Sequence, residues 1–405
     1  MSIDHISLNG SFSQMGEQYS QLRKDYTEKQ LLMNKEELCP TGWLFNIFFN
    51  IIVNRVLSWF PDMINEEMKE YKKSQSEFSG ISVKDLYYLS LSMPVSTIAA
   101  RIDRFYNSLS LSTIFGGDAC TFGGYKTCNG WVVGKNMDWG VSSLHALTYF
   151  PLITSFSHSD KKIYPYKVTT IAPEGSEWSS LTAVNDQGVY ITVNSGEKSV
   201  GGSMKIRRPF FFSDIIPILM KYKSAREVSD WLLKTPMAAG FIICISDIQD
   251  VFIVECCPYD CSDLKDNNKF VNRLRTPEGN IIAATNYFKL DNWEEITGHP
   301  PIEDPNTSAN LRYSNMINML ENNMTNLEEN HLDTLQSIFE RAVNQHDEKD
   351  GILVVHPPSK DYPDQINRTH YTVLFDSYSK ILRVRFQQLI NNESRFIDWN
   401  DIYIG

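Results

Sequence analysis

The pattern of apolar and polar positions along the chain changes near residue 120. Before that point, helical spacing dominates residues 10–115: residues 15–30 are polar and amphipathic, and residues 62–78 are charged with the same periodicity. Ser82, with Asp85 three positions later, is typical of a helix start because these side chains can cap the first backbone N–H groups. The pattern therefore predicts a mostly helical segment at the start of the chain.

After residue 120 the pattern consists of short β-rich runs with helical stretches between them. The predicted strands cover residues 147–156, 163–172, 189–194, 240–246, 250–256, 281–285, 371–376 and 379–387. The predicted helices cover residues 212–234, 308–322 and 332–344. This order of strands and helices indicates a layered sandwich of sheets and helices, and not a parallel doubly wound sheet.

One stretch of the first part is very apolar. Residues 43–60 carry Asn46, Asn50 and Asn54 at four-residue spacing, which places the three amides on one helix face and leaves a broad apolar arc. The polar stripe and Arg55 argue against a membrane-spanning helix. Two interpretations stay open: a core helix of the first part, or an interfacial helix that makes peripheral contact with a membrane.

The most informative short pattern begins at Cys120. Residues 120–140 have the pattern of a β-hairpin, with Asn129-Gly130 as the turn dipeptide. The antiparallel strands bring their ends together, so Cys120 is predicted to lie beside Lys135 and Asp138. A thiol near a cation has a lowered pKa and forms more of the nucleophilic thiolate, and a carboxylate can hold an ammonium group. The alternative is a buried structural cysteine, with Lys135 and Asp138 as a surface ion pair.

This hairpin resembles the linear-amide C–N hydrolases of the N-terminal-nucleophile (Ntn) superfamily. That group includes the choloylglycine (bile-salt) hydrolases, acid ceramidase, N-acylethanolamine acid amidase and the penicillin acyltransferase-like enzymes. In those families a Cys-Thr pair begins the mature chain and a Gly-x-Asn-x-Asp signature follows on the next strand; the matching residues here are Cys120-Thr121 and the run from Gly134 to Asp138. The family often has Arg where this chain has Lys135, which lacks the bidentate guanidinium. This departure argues against a specific assignment to the bile-salt or ceramide members.

Three further stretches match the family in the same order along the chain. Residues 184–194 resemble a strand that ends in an active-site Asn, here Asn194. Residues 282–287 resemble the strand whose Thr-Asn supplies a second oxyanion donor, here Asn286, and residues 308–313 resemble a helix start whose Arg, here Arg312, faces the nucleophile and its Asp. Taken alone, each has an ordinary structural alternative: a turn followed by a strand for Asn194, and a solvated helix residue for Arg312.

The resemblance implies both an architecture and a maturation step. It implies an α+β fold, a four-layer αββα sandwich over residues 120–405, preceded by a mostly helical propeptide or small subunit over residues 1–119. Cleavage between Ala119 and Cys120 would free an α-amino group whose reference pKa of about 7.7–8.0 suits a general base.

The resemblance also implies a role for each matching residue. Asp138 would hold the α-ammonium group, and Asn194 and Asn286 would stabilise the oxyanion. Arg312 would face Cys120 and Asp138. Lys135 and Trp139 would contact the substrate.

Composition and charge limit the remaining classes of function. The 405 residues carry a net charge of −11, which argues against a nucleic-acid partner because phosphate binding needs a basic face. Seven unevenly spaced cysteines do not form a disulfide framework, and the group at 256, 257 and 261 has no paired CxxC motif or supporting His. We therefore expect no metal and no cofactor. The first residues lack a basic and then apolar run, so no signal peptide is visible and a cytoplasmic location is expected.

Together these patterns predict a self-processed cysteine amidase that hydrolyses a linear non-peptide amide through an acyl-enzyme on Cys120. The expected substrate is a small N-acyl conjugate of lipid or bile-salt-like type. An acyltransferase that passes the acyl group to an amine is the first alternative, since residues 10–19 resemble the opening of acyltransferase-like precursors. A non-catalytic binding protein on the same scaffold is the second. Fragments 1–119 and 120–405 are expected to stay associated, and the oligomeric state is left open.

Overall fold

Two large β-sheets form the centre of the molecule. The computed structural model describes residues 3–37, 64–90, 120–140, 150–196, 213–235, 237, 240–257, 271–290, 308–343, 353–354, 367–390 and 393–405. Elements are numbered in chain order. The first sheet contains, from edge to edge, β1 (Asp4–Gly10), β4 (Pro151–His158), β5 (Val168–Pro173), β6 (Thr182–Asn185), β7 (Tyr190–Ser195), β8 (Phe241–Ser246), β9 (Val251–Cys257) and β10 (Val271–Arg275).

The second sheet carries the predicted hairpin near one edge. Its order is β11 (Ile281–Ala284), β2 (Thr121–Lys126), β3 (Trp131–Gly140), β14 (Asn367–Asp376), β15 (Ile381–Ile390) and β16 (Glu393–Phe396), and β17 (Asn400–Tyr403) also pairs with β15. The short strands β12 (Ala342–Val343) and β13 (Leu353–Val354) pair with each other. All neighbours within the second sheet are antiparallel.

Seven helices with complete bounds accompany the sheets in the described part of the chain. They are α1 (Phe12–Glu37), α2 (Glu66–Ser79), α3 (Ile215–Lys221), α4 (Ala225–Leu232), α5 (Ser308–Asn322), α6 (Met324–Glu329) and α7 (His331–Phe339). Helices α3 and α4 pack on strands of the first sheet, whereas α5 and α7 pack on strands of the second. The helices therefore form two separate outer layers.

The two sheets pack face to face through a continuous core. The ring of Tyr190 in β7 stacks on Phe375 in β14, with 5.7 Å between the ring centroids, and both side chains are fully buried. A second core lies on the outer face of the second sheet, where Leu374 is buried with Met316 of α5 and Phe339 of α7. The layers run helix, sheet, sheet, helix. The fold is a four-layer αββα sandwich, as the resemblance implied.

The segment before Cys120 contributes a strand as well as helices. Strand β1, which the sequence analysis did not predict, pairs in parallel with β4 at the edge of the first sheet, with Asp4 opposite Leu152 and Gly10 opposite His158. The other neighbours in that sheet are antiparallel. Thus the start of the chain is built into the sheet, while the domain boundary at residue 120 stays a prediction.

Most predicted elements match strands or helices of the structure. The predicted helix over 308–322 coincides with α5, and the strand over 281–285 with β11. The helix predicted over 212–234 is two helices, α3 and α4, separated by the turn before Ala225. At the predicted helix start, Ser82 Oγ donates to Asp85 Oδ2 at 2.7 Å and accepts from the Asp85 N–H at 3.1 Å. Among the described residues, no helix has the length and apolar character to cross a membrane. The apolar stretch 43–60 lies outside them.

Candidate active site

Cys120 immediately precedes β2 and faces the core between the two sheets. Thr121 lies opposite Asn136 in the β2–β3 pair, which confirms the predicted hairpin. The Cys120 Sγ lies 3.6 Å from Met137 Sδ and 3.9 Å from the backbone oxygen of Asp138, and only 3% of Cys120 is exposed. The hairpin therefore brings the thiol to the end of β3 that carries the predicted carboxylate.

Two residues of the Gly-x-Asn-x-Asp signature fix β3 against the helical layer. A Cβ atom at Gly134 would lie 2.7 Å from Phe339 Cε2, so only a glycine lets α7 pack this closely on the strand. The Asn136 amide donates to the backbone oxygen of Phe339 at 3.3 Å and accepts from Thr372 at 2.8 Å. Gly134 and Asn136 therefore hold β3 against α7 and β14, and Lys135 and Asp138 are the ionisable residues of the signature.

Arg312 connects Cys120 to one of the predicted oxyanion residues. Its Nη1 donates to the carbonyl oxygen of Cys120 at 2.6 Å and to Thr121 Oγ1 at 2.7 Å, while Nη2 donates to Asn286 Oδ1 at 3.0 Å. Only 2% of Arg312 is exposed, so it is not a solvated helix residue. Burial lowers its pKa, and the opposing charges of Asp138 and Cys120 act in the other direction.

Asp138 is a fully buried carboxylate, and only one of its two oxygens accepts a hydrogen bond from a described residue. Its Oδ1 accepts a short hydrogen bond from the Thr369 hydroxyl, whereas its Oδ2 is buried without a hydrogen-bond partner among the described residues. Burial raises the pKa of Asp138 to about 7, although Arg312, the Thr369 hydroxyl and Lys135 all act to lower it. A buried charge with an unpaired oxygen is costly, so this position is suited to an additional cation or donor.

Lys135 is buried between the sheets, and it is not half of a surface ion pair. Its Nζ donates a short hydrogen bond to the backbone oxygen of Val193 in β7. From there its charge acts to lower the pKa of Asp138. Lys135 thus supplies positive potential inside the sandwich, and direct contact of this fully buried side chain with a substrate stays a prediction.

The two predicted oxyanion residues differ in geometry. Asn194 in β7 is fully buried, and its amide N–H₂ points at the backbone oxygens of Thr285 and Ala284, at 3.2 and 3.5 Å, which leaves its buried Oδ1 without a partner among the described residues. Asn286 is partly exposed and donates one N–H to the backbone oxygen of Ser195 at 3.0 Å. Because an amide has two N–H groups, Asn286 has a second one to offer an oxyanion. Asn194 would have to turn its amide to do the same.

Two threonines add hydrogen bonds around the site. Thr369 comes from β14, 231 positions from Asp138, and no local pattern in the sequence could have identified it. Thr285 was visible only as part of the Thr-Asn match; its hydroxyl donates to the backbone oxygen of Ala309 at 2.9 Å and so ties the end of β11 to α5.

The structure brings Cys120, Asp138, Asn286 and Arg312 together, with Lys135 and Asn194 behind them. Of the remaining predicted residues, Ala119 lies outside the described part of the chain, and Trp139 is placed in β3 opposite Arg368. Among the described residues, no cluster of three His, Cys, Asp or Glu side chains could hold a metal ion.

The chain matches no protein-family model and no curated protein. Solved structures similar to it include two variants of a conjugated bile acid hydrolase from Clostridium perfringens, at 12% identity with a TM-score of 0.39 and at 14% identity with a TM-score of 0.42. Each similarity covers 69% of this chain and 92% of the hydrolase. A penicillin V acylase from Agrobacterium tumefaciens is similar at 13% identity with a TM-score of 0.35, over 69% of this chain and 86% of the acylase. Likeness this distant assigns no substrate and no residue roles, which must come from the side chains.

Proposed function

We propose that this chain is a self-processed cysteine amidase that hydrolyses a linear non-peptide amide through an acyl-enzyme on Cys120. The observation that supports this most is the fully buried Asp138, whose backbone oxygen lies 3.9 Å from Cys120 Sγ and whose carboxylate Oδ2 has no hydrogen-bond partner among the described residues. Cleavage before Cys120 creates an α-ammonium group at that residue, and such a group would add a direct partner for Asp138 to the more distant charges of Arg312 and Lys135.

Maturation needs only groups that the chain supplies and one water molecule. The Cys120 thiol adds to the carbonyl carbon of Ala119, the Ala119–Cys120 C–N bond breaks, and the Cys120 nitrogen takes up a proton as it becomes an amine. Water then hydrolyses the resulting thioester and releases the Ala119 carboxylate and the free thiol. Both steps pass through a tetrahedral oxyanion, which hydrogen-bond donors can stabilise.

Turnover would use the same groups on an external amide. The free α-amino group of Cys120 accepts the thiol proton, the thiolate attacks the substrate carbonyl, and the protonated amine returns its proton to the leaving nitrogen. Water completes the cycle by hydrolysing the acyl-enzyme. Asn286 would donate to the oxyanion, while Arg312 holds both Asn286 and the Cys120 carbonyl. Transfer of the acyl group to an added amine would instead support the acyltransferase alternative.

The substrate class follows from the sequence resemblance. A linear N-acyl conjugate supplies the carbonyl carbon that the Cys120 thiolate would attack, and its acyl group would then be carried as a thioester on Cys120. We infer that the two fragments stay associated after cleavage, because β1 is paired along its length with β4 across the cleavage point.

The decisive experiment is the mass and amino-terminal sequence of the purified protein. We expect fragments of 119 and 286 residues, with Cys120 at the start of the second. Cys120→Ala should remain one chain on a denaturing gel and show no hydrolysis of a generic N-acyl substrate. The matched control is Cys128→Ser, since Cys128 is an exposed thiol at the hairpin turn; it should cleave and turn over like the wild type. A wild type that stays whole yet hydrolyses amides would refute the free amine as general base.

A further inference from the structure

Glu255 is a buried carboxylate that belongs to neither the predicted nor the observed catalytic group. It lies in β9 of the first sheet and is fully buried. Its Oε1 accepts from the backbone N–H of Lys289 at 2.9 Å, and its Oε2 accepts from that of Leu290 at 3.1 Å. Both N–H groups belong to the loop that follows β11 and Asn286, so a side chain of the first sheet holds the backbone that leaves an edge strand of the second.

Arg275 contacts the backbone before Asn286. Its Nη1 donates to the backbone oxygen of Ala283 at 2.8 Å, and its Nε lies 3.2 Å from Glu255 Oε1. The guanidinium also faces Tyr313, the neighbour of Arg312 on α5. The ion pair therefore forms hydrogen bonds to the backbone three residues before Asn286 and three residues after it.

A buried ion pair contributes little net stability, since desolvation opposes the attraction, but its directed hydrogen bonds fix the position of the backbone groups that they reach. We propose that Glu255 and Arg275 are positioning residues for Asn286, which fix its amide where it can donate to the oxyanion. This inference rests on the proposed function, in which Asn286 is that donor. Displacement of such a group by about 1 Å can lower the rate by about 100-fold.

The test is a double-mutant cycle on cleaved enzyme with a generic N-acyl substrate. Glu255→Gln keeps the shape of the side chain but replaces one acceptor oxygen with an N–H₂ group. We expect it to lower kcat by about 10- to 100-fold at nearly constant KM, because it displaces a group that acts in the transition state. In an Asn286→Ala background the same substitution should change kcat by less than about twofold, because the group it positions is already absent.

Arg275→Lys is a second variant that keeps the charge but loses the forked guanidinium. It should also lower kcat in the wild type and change it by less than about twofold in the Asn286→Ala background. The control is Glu278→Gln, an exposed carboxyl in the turn between β10 and β11, which should leave kcat unchanged. If Glu255→Gln lowers kcat by the same factor with and without Asn286, in a protein whose wild type hydrolyses amides, the positioning role is wrong while the proposed function stands. A wild type without amide hydrolysis would overturn the proposed function and this inference with it.

Discussion

Two regions of the molecule bury charged groups, and they do so differently. The first, here called the N-terminal ion cluster, consists of Arg23, Lys72, Glu174 and Glu177. It joins α1 and α2 to the segment after β5: Arg23 Nη2 lies 2.8 Å from Glu174 Oε2, and Lys72 Nζ lies 2.8 Å from Glu177 Oε1. Each carboxylate therefore faces a cation directly. At the candidate active site, the hydrogen-bond partner of Asp138 is a hydroxyl, and its second oxygen has none among the described residues.

The two regions differ in the direct partners of their buried carboxylates. In the N-terminal ion cluster one oxygen of each carboxylate lies on an arginine or lysine nitrogen, and Glu177 Oε2 is the oxygen left without a hydrogen-bond partner among the described residues. Burial raises the pKa of Glu174, while Arg23 acts to lower it. Asp138 is buried to the same extent, yet its pKa is raised to about 7, near the range where it would lose or gain a proton under ordinary conditions. Strongly perturbed pKa values of this kind gather at functional sites. Asp138 thus differs from Glu174 and Glu177 in having no cation at ion-pair distance among the described residues.

The largest effect should come from breaking the N-terminal ion cluster. Lys72→Met leaves the Glu177 carboxylate buried without its cation and should lower the free energy of unfolding by about 3–5 kcal/mol. Urea unfolding of the purified protein measures this. Lys73→Met, at the next position on α2, is the control: Lys73 is 75% exposed, so its loss should change the free energy by less than about 0.5 kcal/mol.

The same variant also tests whether the two regions are independent. Lys72→Met/Glu177→Gln removes the uncompensated charge and should recover much of the lost stability. Turnover per folded and cleaved molecule should be unchanged in all three variants, because none of them touches the active-site residues. A large fall in kcat on Lys72→Met would show that the cluster is coupled to the site and would contradict the comparison.

The sequence predicted the parts of this site that depend on local pattern. The turn dipeptide and the strand that follows it placed Cys120 beside Asp138, and the helix pattern at 308–322 placed Arg312 at the start of α5. The two-sheet arrangement needed the family resemblance, since strand patterns do not specify which strands pair. Strand β1 was missed because its residues alternate only weakly, with two apolar side chains among polar ones.

Long-range contacts account for most of what sequence could not predict. Thr369 meets Asp138 only because β14 lies beside β3, and Glu255 meets the segment after Asn286 only because the two sheets stack. The depth of Lys135 was not predicted either: one interpretation placed it in a surface ion pair, but its ammonium group donates to a backbone oxygen between the sheets. A strand pattern shows which residues share a face of the sheet, but it does not show how deeply each face is buried in a sandwich.

The next effect is on catalysis and should leave stability nearly untouched. Asn286→Ala removes a donor that matters most when the carbonyl oxygen becomes negative, so it should lower kcat by about 100- to 1,000-fold with little change in KM. Rates must be normalised to cleaved enzyme, because cleavage passes through a similar oxyanion. Asn194→Ala is the informative comparison, since the Asn194 amide already donates to two backbone oxygens. Weaker substrate binding at an unchanged kcat would make Asn286 a substrate contact instead.

The most specific effect, and the smallest one per pH unit, is the slope of stability against pH before and after cleavage. In the uncleaved Cys120→Ala protein, the pKa of Asp138 is raised from its ordinary value to about 7. The folded state then binds more protons than the unfolded state between those values. Stability is therefore fully present below the unfolded pKa and is lost as pH rises through about 7, with a slope of up to about 1.4 kcal/mol per pH unit. Cys120→Ala/Asp138→Asn should lose this slope.

Cleaved wild-type protein should lack the slope as well, because an α-ammonium group beside Asp138 would keep the carboxylate ionised and lower its pKa. Urea unfolding at a series of pH values, for the uncleaved, doubly substituted and cleaved proteins, makes the comparison. If the cleaved enzyme keeps the same decline as the uncleaved one, the new amino terminus does not pair with Asp138. The contrast with the N-terminal ion cluster would then hold for the cleaved enzyme too, since Asp138 would still have no cation as a direct partner.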